Sequence, residues 1–353
     1  MERTTMERTT MERTTMERTA FIAATGTALP GEPIGNTELG AALGVSDEWI
    51  DVFVGTRTRY FGRDLVTGEI RDTLADLCAE AAAEALERSG LETGDIEFLV
   101  LATATPDRLL PTTAAQVADR LGLDHLPVYQ LQAGCSGALQ AVELGQKLLA
   151  AGAGAGLVVG GDVTHRHLDL RGRVARLPTQ ELVNYVLFGD GAGAAVLTAE
   201  PAGDAVAVRG LVHRMAGLGR EPGQLIDWYG ITDRDTPRPL LAEDYKAIEE
   251  HVPGMAVELL WDVLGEAGWQ PEDVDHLLPP QLSRRMTERI AERLSLPDAH
   301  EVSCVTDTGN TGNALPFLQI DLLLQKMARG ERAVVLAVES SKWIKTGLGL
   351  EKV

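Results

Sequence analysis

Leu131-Gln132-Ala133-Gly134-Cys135-Ser136-Gly137-Ala138-Leu139 lies between two unlike stretches. Before it, Pro127-Val128-Tyr129-Gln130 reads as a short strand; after it, residues 141–149 are apolar at helical spacing. A cysteine between two glycines, at a strand-to-helix turn, is the arrangement a thiol nucleophile wants. The turn exposes the sulfur, and the unpaired amides and positive end of the following helix favour a thiolate. The same amides can hold an oxyanion when the sulfur attacks a carbonyl. A buried cysteine packing as a small hydrophobe is the plain alternative, and the local pattern leaves the two level.

Composition narrows the classes open to the chain. Its 353 residues are 44% hydrophobic and 24% charged, a globular profile with room for a large core or two fused domains. No apolar run is long enough to span a bilayer, and the N-terminus lacks a signal-peptide core. Cys78, Cys135 and Cys304 are too few and too scattered for a disulfide framework or a zinc cluster, so no metal is expected and a reducing cytoplasm fits. A formal net charge of -20 argues against nucleic acid or an anionic membrane as a general partner, while leaving room for a local basic patch.

Working outward from the elbow, residues 1–18 repeat the unit Met-Glu-Arg-Thr-Thr, neutral and without an apolar face, and read as a tail. A first strand starts at Thr19. Helices start at Asn36 and after Ser46, with Ser46 as cap. Residues 72–89 form an amphipathic helix closed by Gly90, residues 96–104 a buried strand, and residues 112–121 another helix. A strand at 156–161 leads to a polar, arginine-rich excursion over 166–181, at whose start His165 and His167 read as solvated. Phe188-Gly189-Asp190-Gly191-Ala192-Gly193-Ala194 is a glycine-rich turn into a strand, with Asp190 fixing the backbone. Residues 200–204 are the boundary candidate, giving halves 19–200 and 201–353.

The pattern then returns. Ala85-Leu86-Glu87-Arg88-Ser89-Gly90 resembles Val263-Leu264-Gly265-Glu266-Ala267-Gly268, and Ala138-Leu139 resembles Ala314-Leu315, at a spacing of about 177 residues. Helix and strand repeated at near-constant spacing predict two homologous βαβαβ halves packed about a pseudo-two-fold axis. The elbow of each half then faces that axis, so Gly134-Cys135-Ser136 meets Asn310-Thr311-Gly312 in a site built from both loops.

With these stretches in hand the chain resembles the ketoacyl-acyl-carrier-protein synthase III enzymes of the thiolase superfamily, from residue 19 onward. The resemblance is carried by Ser46-Asp47-Glu48-Trp49-Ile50, Gly55-Thr56-Arg57, the cysteine elbow, the glycine-rich turn at 188–194 and Gly309-Asn310-Thr311, in that order. It implies a thiolase-like α/β fold with a five-layered αβαβα core, and a homodimer. It also implies a chemistry. The cysteine takes an acyl group as a thioester from acyl carrier protein or coenzyme A. A histidine and an asparagine then help decarboxylate a malonyl thioester, whose carbanion attacks the acyl group. Cys135 matches the nucleophile and Asn310 the asparagine. The histidine's stretch here reads Leu278-Pro279-Pro280-Gln281, with Pro280 where the imidazole belongs. Proline has no ionisable group and no side-chain donor. A positioned acid or base contributes about 10²–10⁴-fold in rate, so its loss should cripple malonyl decarboxylation but need not abolish acyl transfer to Cys135.

Other departures agree. The glycine-rich loop that shapes the family's acyl pocket is here Glu339-Ser340-Ser341-Lys342-Trp343, and Ser340 and Ser341 become candidates for binding a polar acceptor. Leu110 stands where the family has an aromatic residue reaching into the partner's acyl pocket. Trp49 matches the residue that stacks on the adenine of coenzyme A, but the arginine expected four residues later is Phe53, which favours a carrier-protein donor. Arg284 and Arg285 match basic residues where carrier protein docks, or are a solvated helix face. His251 falls in the region that lines the family's pantetheine channel and is the candidate substitute base. No cofactor is expected beyond the phosphopantetheine or coenzyme A thioester that acts as substrate. The leading reading is an acyltransferase that passes an acyl group from Cys135 to a small-molecule amine, hydroxyl or thiol. Two alternatives stand beside it. One is a 3-ketoacyl synthase that recruits a base such as His251 or uses a nucleophile that is already a carbanion; the other is a non-catalytic partner subunit.

Overall fold

Ten strands form one continuous sheet in which two five-strand halves repeat the same order. The computed structural model describes residues 19–168, 174, 177–228, 235 and 240–353, so the repetitive stretch 1–18 and part of the polar excursion lie outside it. The first half contributes β1 (Phe21–Ala28), β2 (Leu99–Thr103), β3 (Val128–Gln132), β4 (Ala155–Asp162) and β5 (Gly191–Thr198). Their order across the sheet is β3-β2-β4-β5-β1, with β2 parallel to β3 and β4, and β5 antiparallel to β4 and β1. The second half contributes β6 (Val206–Met215), β7 (His276–Leu278), β8 (His300–Glu301), β9 (Arg332–Glu339) and β10 (Ile344–Lys352). The order β8-β7-β9-β10-β6 and the strand directions match the first half. The halves join where β1 pairs with β6, Phe21 opposite Ala207 and Ile22 opposite Val206.

Helices cover and separate these half-sheets to give the five layers. Helices α1 (Leu74–Ser89) and α2 (Thr113–Leu121) pack on the outer face of the first half. Helices α3 (Gly137–Ala150) and α6 (Leu315–Leu324) lie between the two half-sheets, and α4 (Tyr245–Ala267) with α5 (Arg284–Leu294) covers the outer face of the second. Position explains composition. Helix α6, Leu-Pro-Phe-Leu-Gln-Ile-Asp-Leu-Leu-Leu, is apolar nearly all round because it is sandwiched on both sides. Outer helix α1 keeps a polar face, with Thr73 and Asp76 forming a capping box at its start and Gly90 closing it at φ 71°. Strands β4 and β5 are buried along their whole length, which is why they read as continuous apolar runs.

Two positions differ from expectation. His165 is buried, not solvated: its Nδ1 pairs with Asp190, which also accepts the Gly62 N–H at 2.8 Å, so Asp190 fixes backbone as the sequence implied. His167 packs its ring edge-on to Trp228, with both ring nitrogens buried. Burial, with Arg166 and His165 adding to it, holds its pKa down to about 4. Among the described residues no helix is long and apolar enough to cross a membrane.

Candidate active site

The loop between β3 and α3 carries Cys135, and it is braced from the other half of the chain. Asn313 Nδ2 donates to the Ala133 carbonyl at 3.0 Å. A side chain at Gly137 would collide with Asn313 Oδ1 at 2.4 Å, so only hydrogen fits there. At the end of β9, Glu339 is buried and accepts the Ser136 hydroxyl through Oε2 at 2.6 Å and the Ser341 hydroxyl through Oε1. Gln140 Nε2, one turn into α3, donates to Ser136 Oγ at 2.8 Å. The second loop presents Asn310, whose Oδ1 accepts the Gly312 N–H at 3.0 Å.

Cys135 and Asn310 line one cavity of about 240 Å³ together with Ser340, Glu243, Tyr245 and Gln224. Its apolar wall includes Val183, Leu187, Ile248, Val252 and Met286. A smaller space of about 20 Å³ on another side of Cys135 is walled by Pro280 and Gln281. Among the described residues no histidine lines either space. Gln281 is engaged in structure, its Oε1 accepting from Ser303 Oγ and from the N–H groups of Cys304 and Val305.

The electrostatics at the sulfur correct one expectation. Cys135 is half-buried, and burial followed by the carboxylates of Glu339, Asp162 and Glu243 pushes its thiol well above the ordinary range. Its own N–H pulls the other way, but the Gly137 N–H is already bonded to the Gly134 carbonyl within the turn at 2.8 Å. The resting nucleophile is therefore a thiol, and a helix end does not make it a thiolate against three carboxylates. The remaining cysteines, Cys78 and Cys304, are buried in the core.

The other sequence candidates divide. Ser340 reaches the cavity; Ser341 gives its hydroxyl to Glu339. His251 is not brought to the site. On α4 the cavity is faced by Tyr245, Ile248, Glu249 and Val252, and at 100° per residue His251 falls beside that stripe. Its ring instead packs edge-on to Trp343 at 5.0 Å. Trp49 stacks on Phe53 at 4.7 Å between ring centroids, so the residue replacing the expected arginine covers one Trp49 face. Leu110 is 81% exposed on this chain and is not among the described residues that line the cavity. Arg284 pairs with Glu288 at 2.8 Å, and Arg285 Nε donates to the Asp51 carbonyl at 3.0 Å; both begin α5, whose Met286 lines the cavity.

Glu243 was missed by sequence reasoning. It sits on a two-strand ribbon, Gln224–Ile226 against Leu241–Glu243, that no catalytic motif marks. Gln224 Nε2 donates to Glu243 Oε1 at 2.6 Å, while among the described residues the buried Oε2 has no hydrogen-bond partner. Burial raises its pKa to about 7, against the opposing pull of Tyr245 and Gln224. The Tyr245 hydroxyl beside it donates to Asn184 Oδ1 and is itself pushed well up by burial and by Glu243.

Comparison with known proteins bears on this site. Sequence models of 3-oxoacyl-[acyl-carrier-protein] synthase III match residues 129–210, and models of its C-terminal part match residues 264–340. Beta-ketoacyl-[acyl-carrier-protein] synthase III of Rhizorhabdus wittichii is 34% identical over 87% of this chain and 90% of its own length. A Streptomyces coelicolor protein, beta-ketoacyl-[acyl-carrier-protein] synthase III 3, is 33% identical over 85% of this chain and 87% of its own. Among solved structures, the tetronic acid condensing enzyme AbyA1 superposes with a TM-score of 0.91 at 52% identity, covering 94% of this chain and 99% of that one. The Pseudomonas aeruginosa 3-oxoacyl-(acyl carrier protein) synthase III superposes at 0.81 with 29% identity, covering 95% and 98%.

Proposed function

The chain belongs to the 3-oxoacyl-[acyl-carrier-protein] synthase III family, and we propose that within it this protein condenses two carrier-bound acyl chains into a tetronic acid ring. Cys135 takes a 2-hydroxyacyl group as a thioester from acyl carrier protein. The acidic C-2 of a 3-oxoacyl thioester attacks the Cys135 thioester carbonyl, forming the carbon–carbon bond and expelling the Cys135 sulfur. The hydroxyl of the first chain then attacks the remaining thioester, closing the lactone and releasing the second carrier thiol. Here the acyl group on Cys135 passes to carbon, so this reading takes up the alternative in which the nucleophile is already a carbanion; the hydroxyl receives the carrier-bound acyl group, not the one on Cys135.

The observation that carries this reading is Pro280 at the wall of Cys135, where the family's histidine is expected. A malonyl thioester needs help to lose carbon dioxide. A 3-oxoacyl thioester needs none, because its C-2 anion is delocalised over two carbonyls and only a proton must leave. The 52% identity to AbyA1 supports the product class. The ring's polar partners have a place in Ser340 and Asn310, and its acyl tails in the Val183, Leu187 and Ile248 wall. In the same reading carrier protein docks at Arg284 and Arg285, on the helix whose Met286 lines the cavity. A second copy of the chain covers the exposed Leu109 and Leu110.

The test supplies purified protein with a 2-hydroxyacyl carrier protein and a 3-oxoacyl carrier protein. A Cys135-dependent mass increase on the intact chain, followed by a tetronic acid product, is expected. Release of carbon dioxide from malonyl carrier protein with formation of a 3-oxo product, or no adduct on Cys135 with any carrier-bound donor, would overturn the reading.

A further inference from the structure

Three carboxylates stand near enough to Cys135 to raise its thiol: Glu339, Asp162 and Glu243. Two of them have both oxygens engaged. Asp162 accepts from Thr103 Oγ1, the Ala104 and Thr105 N–H groups, and both the backbone and side chain of Asn313. Glu339 accepts Ser136 on one oxygen and Ser341 on the other. Glu243 alone has an oxygen in hand. Its Oε1 is held by Gln224; its Oε2 is buried and accepts no hydrogen bond among the described residues, the neighbouring Tyr245 hydroxyl donating to Asn184 instead; and its side chain lines the cavity that Cys135 and Asn310 share. Leaving a carboxylate oxygen buried and unmatched costs stability. A substrate that brings a proton to that oxygen removes the cost.

Resting on the condensation proposed above, we infer that Glu243 is the catalytic base that takes the C-2 proton of the 3-oxoacyl thioester and returns it to Cys135. The proton passes from carbon to Glu243 Oε2 as the C-2 electron pair forms the new bond to the acyl carbonyl carbon. The carbon–sulfur bond of the acyl-enzyme breaks, and its electrons leave on Cys135 Sγ. That thiolate then takes the proton from Glu243, restoring both groups. The direction of return follows from the site, because burial and the surrounding carboxylates favour the neutral thiol. A base poised near neutrality is the efficient one at neutral pH, and burial places Glu243 at about 7.

Among the described residues, the titratable groups that line the cavity with Glu243 are the Cys135 thiol and Tyr245 hydroxyl, both pushed well up, and the Glu249 carboxylate; Glu339 and Asp162 act with Glu243 on Cys135, and the helix Thr179–Leu187 that packs on its strand carries Glu181 and Tyr185. The experiment loads wild type, Glu243→Gln and Glu243→Asp with a 2-hydroxyacyl group, confirms the adduct by intact mass, and mixes each with 3-oxoacyl carrier protein in a single turnover. In wild type, consumption of the adduct should quicken with rising pH and level off above about 7. Glu243→Gln should slow it by about 10²–10⁴-fold and flatten the profile, with Glu243→Asp restoring part of the rate. Consumption by Glu243→Gln at the wild-type rate would overturn the assignment. So would a wild-type rate that does not change between pH 6 and 8, a readout that holds even if the glutamine variant fails to fold. A wild type that never forms the adduct fails one step earlier. That result overturns the condensation itself and this assignment with it.

Discussion

Asp162 and Glu339 close the equivalent strands β4 and β9, and each carboxylate crosses to brace the catalytic loop of the opposite half. Asp162 Oδ2 accepts the Asn313 N–H at 2.8 Å and its Nδ2 at 2.9 Å; Glu339 Oε2 accepts Ser136 Oγ at 2.6 Å. The loop bearing Cys135 is thus held by the second half, and the loop bearing Asn310 by the first. Neither loop owes its position to its own half alone.

Removing the Glu339 charge should ease ionisation of the nucleophile. Glu339 is the largest charged contributor to the raised Cys135 thiol, after burial. Glu339→Gln keeps the shape and drops the charge, so the thiolate fraction at pH 8 should rise and alkylation by iodoacetamide should quicken by roughly three- to tenfold. Rates followed by intact mass across pH 7–10 measure this. An unchanged or slower alkylation would show that the charge is not what holds the thiol up.

Pro280→His restores an imidazole to the wall of Cys135. With Asn310 already in place, the variant should gain slow decarboxylation of malonyl carrier protein, about 10-fold or more above wild type. Carbon dioxide release from radiolabelled malonyl carrier protein is the measurement. No gain in a folded variant would mean that Pro280 is not the position that governs this chemistry.

Glu243 should cost the folded protein stability at neutral pH. Its folded pKa of about 7 lies above the ordinary 4.5, so between these values the folded state binds more protons than the unfolded chain. Stability therefore falls as pH rises from 4.5 to 7 and is flat above. Glu243→Gln removes this loss, and its stability relative to wild type should improve between pH 4 and pH 8 by on the order of 3 kcal/mol. Urea unfolding at the two pH values reads the difference. A relative stability that stays constant across this range would contradict the burial argument.

Gly312 sits in the loop braced by Asp162, at φ 56°, where a Cβ would lie 2.2 Å from Asp162 Oδ2. Gly312→Ala combines left-handed strain with displacement of that carboxylate and should cost about 2–4 kcal/mol. Gly254→Ala in α4, where a Cβ meets nothing within 4 Å, should be neutral or stabilise by about 0.5–1 kcal/mol. Denaturant melts of both variants provide the contrast; equal effects would discount the clash.

Much of this protein is set by chemistry within a few residues along the chain. Ser46 accepts the Trp49 N–H as a cap must, Gly90 closes α1, and the strand-to-helix turn puts Cys135 at its bend. The recurrence of apolar pattern near 177 residues foretold two halves with one strand order. The proline at 280 is likewise plain in the sequence. What tertiary structure alone decided is which side chains share a dielectric. His165 is solvated by its neighbours in sequence and buried by its neighbours in space. His251 and Val252 are adjacent in the chain, yet only Val252 faces the cavity. Glu243 has no motif around it, and its unpartnered oxygen and raised pKa arise only when strands, helices and the cysteine loop from distant parts of the chain exclude water together. Local spacing specifies backbone geometry, because that depends on bonds and turns a few residues long; proton affinity depends on desolvation and charge summed over everything within reach, and that sum exists only in the folded chain.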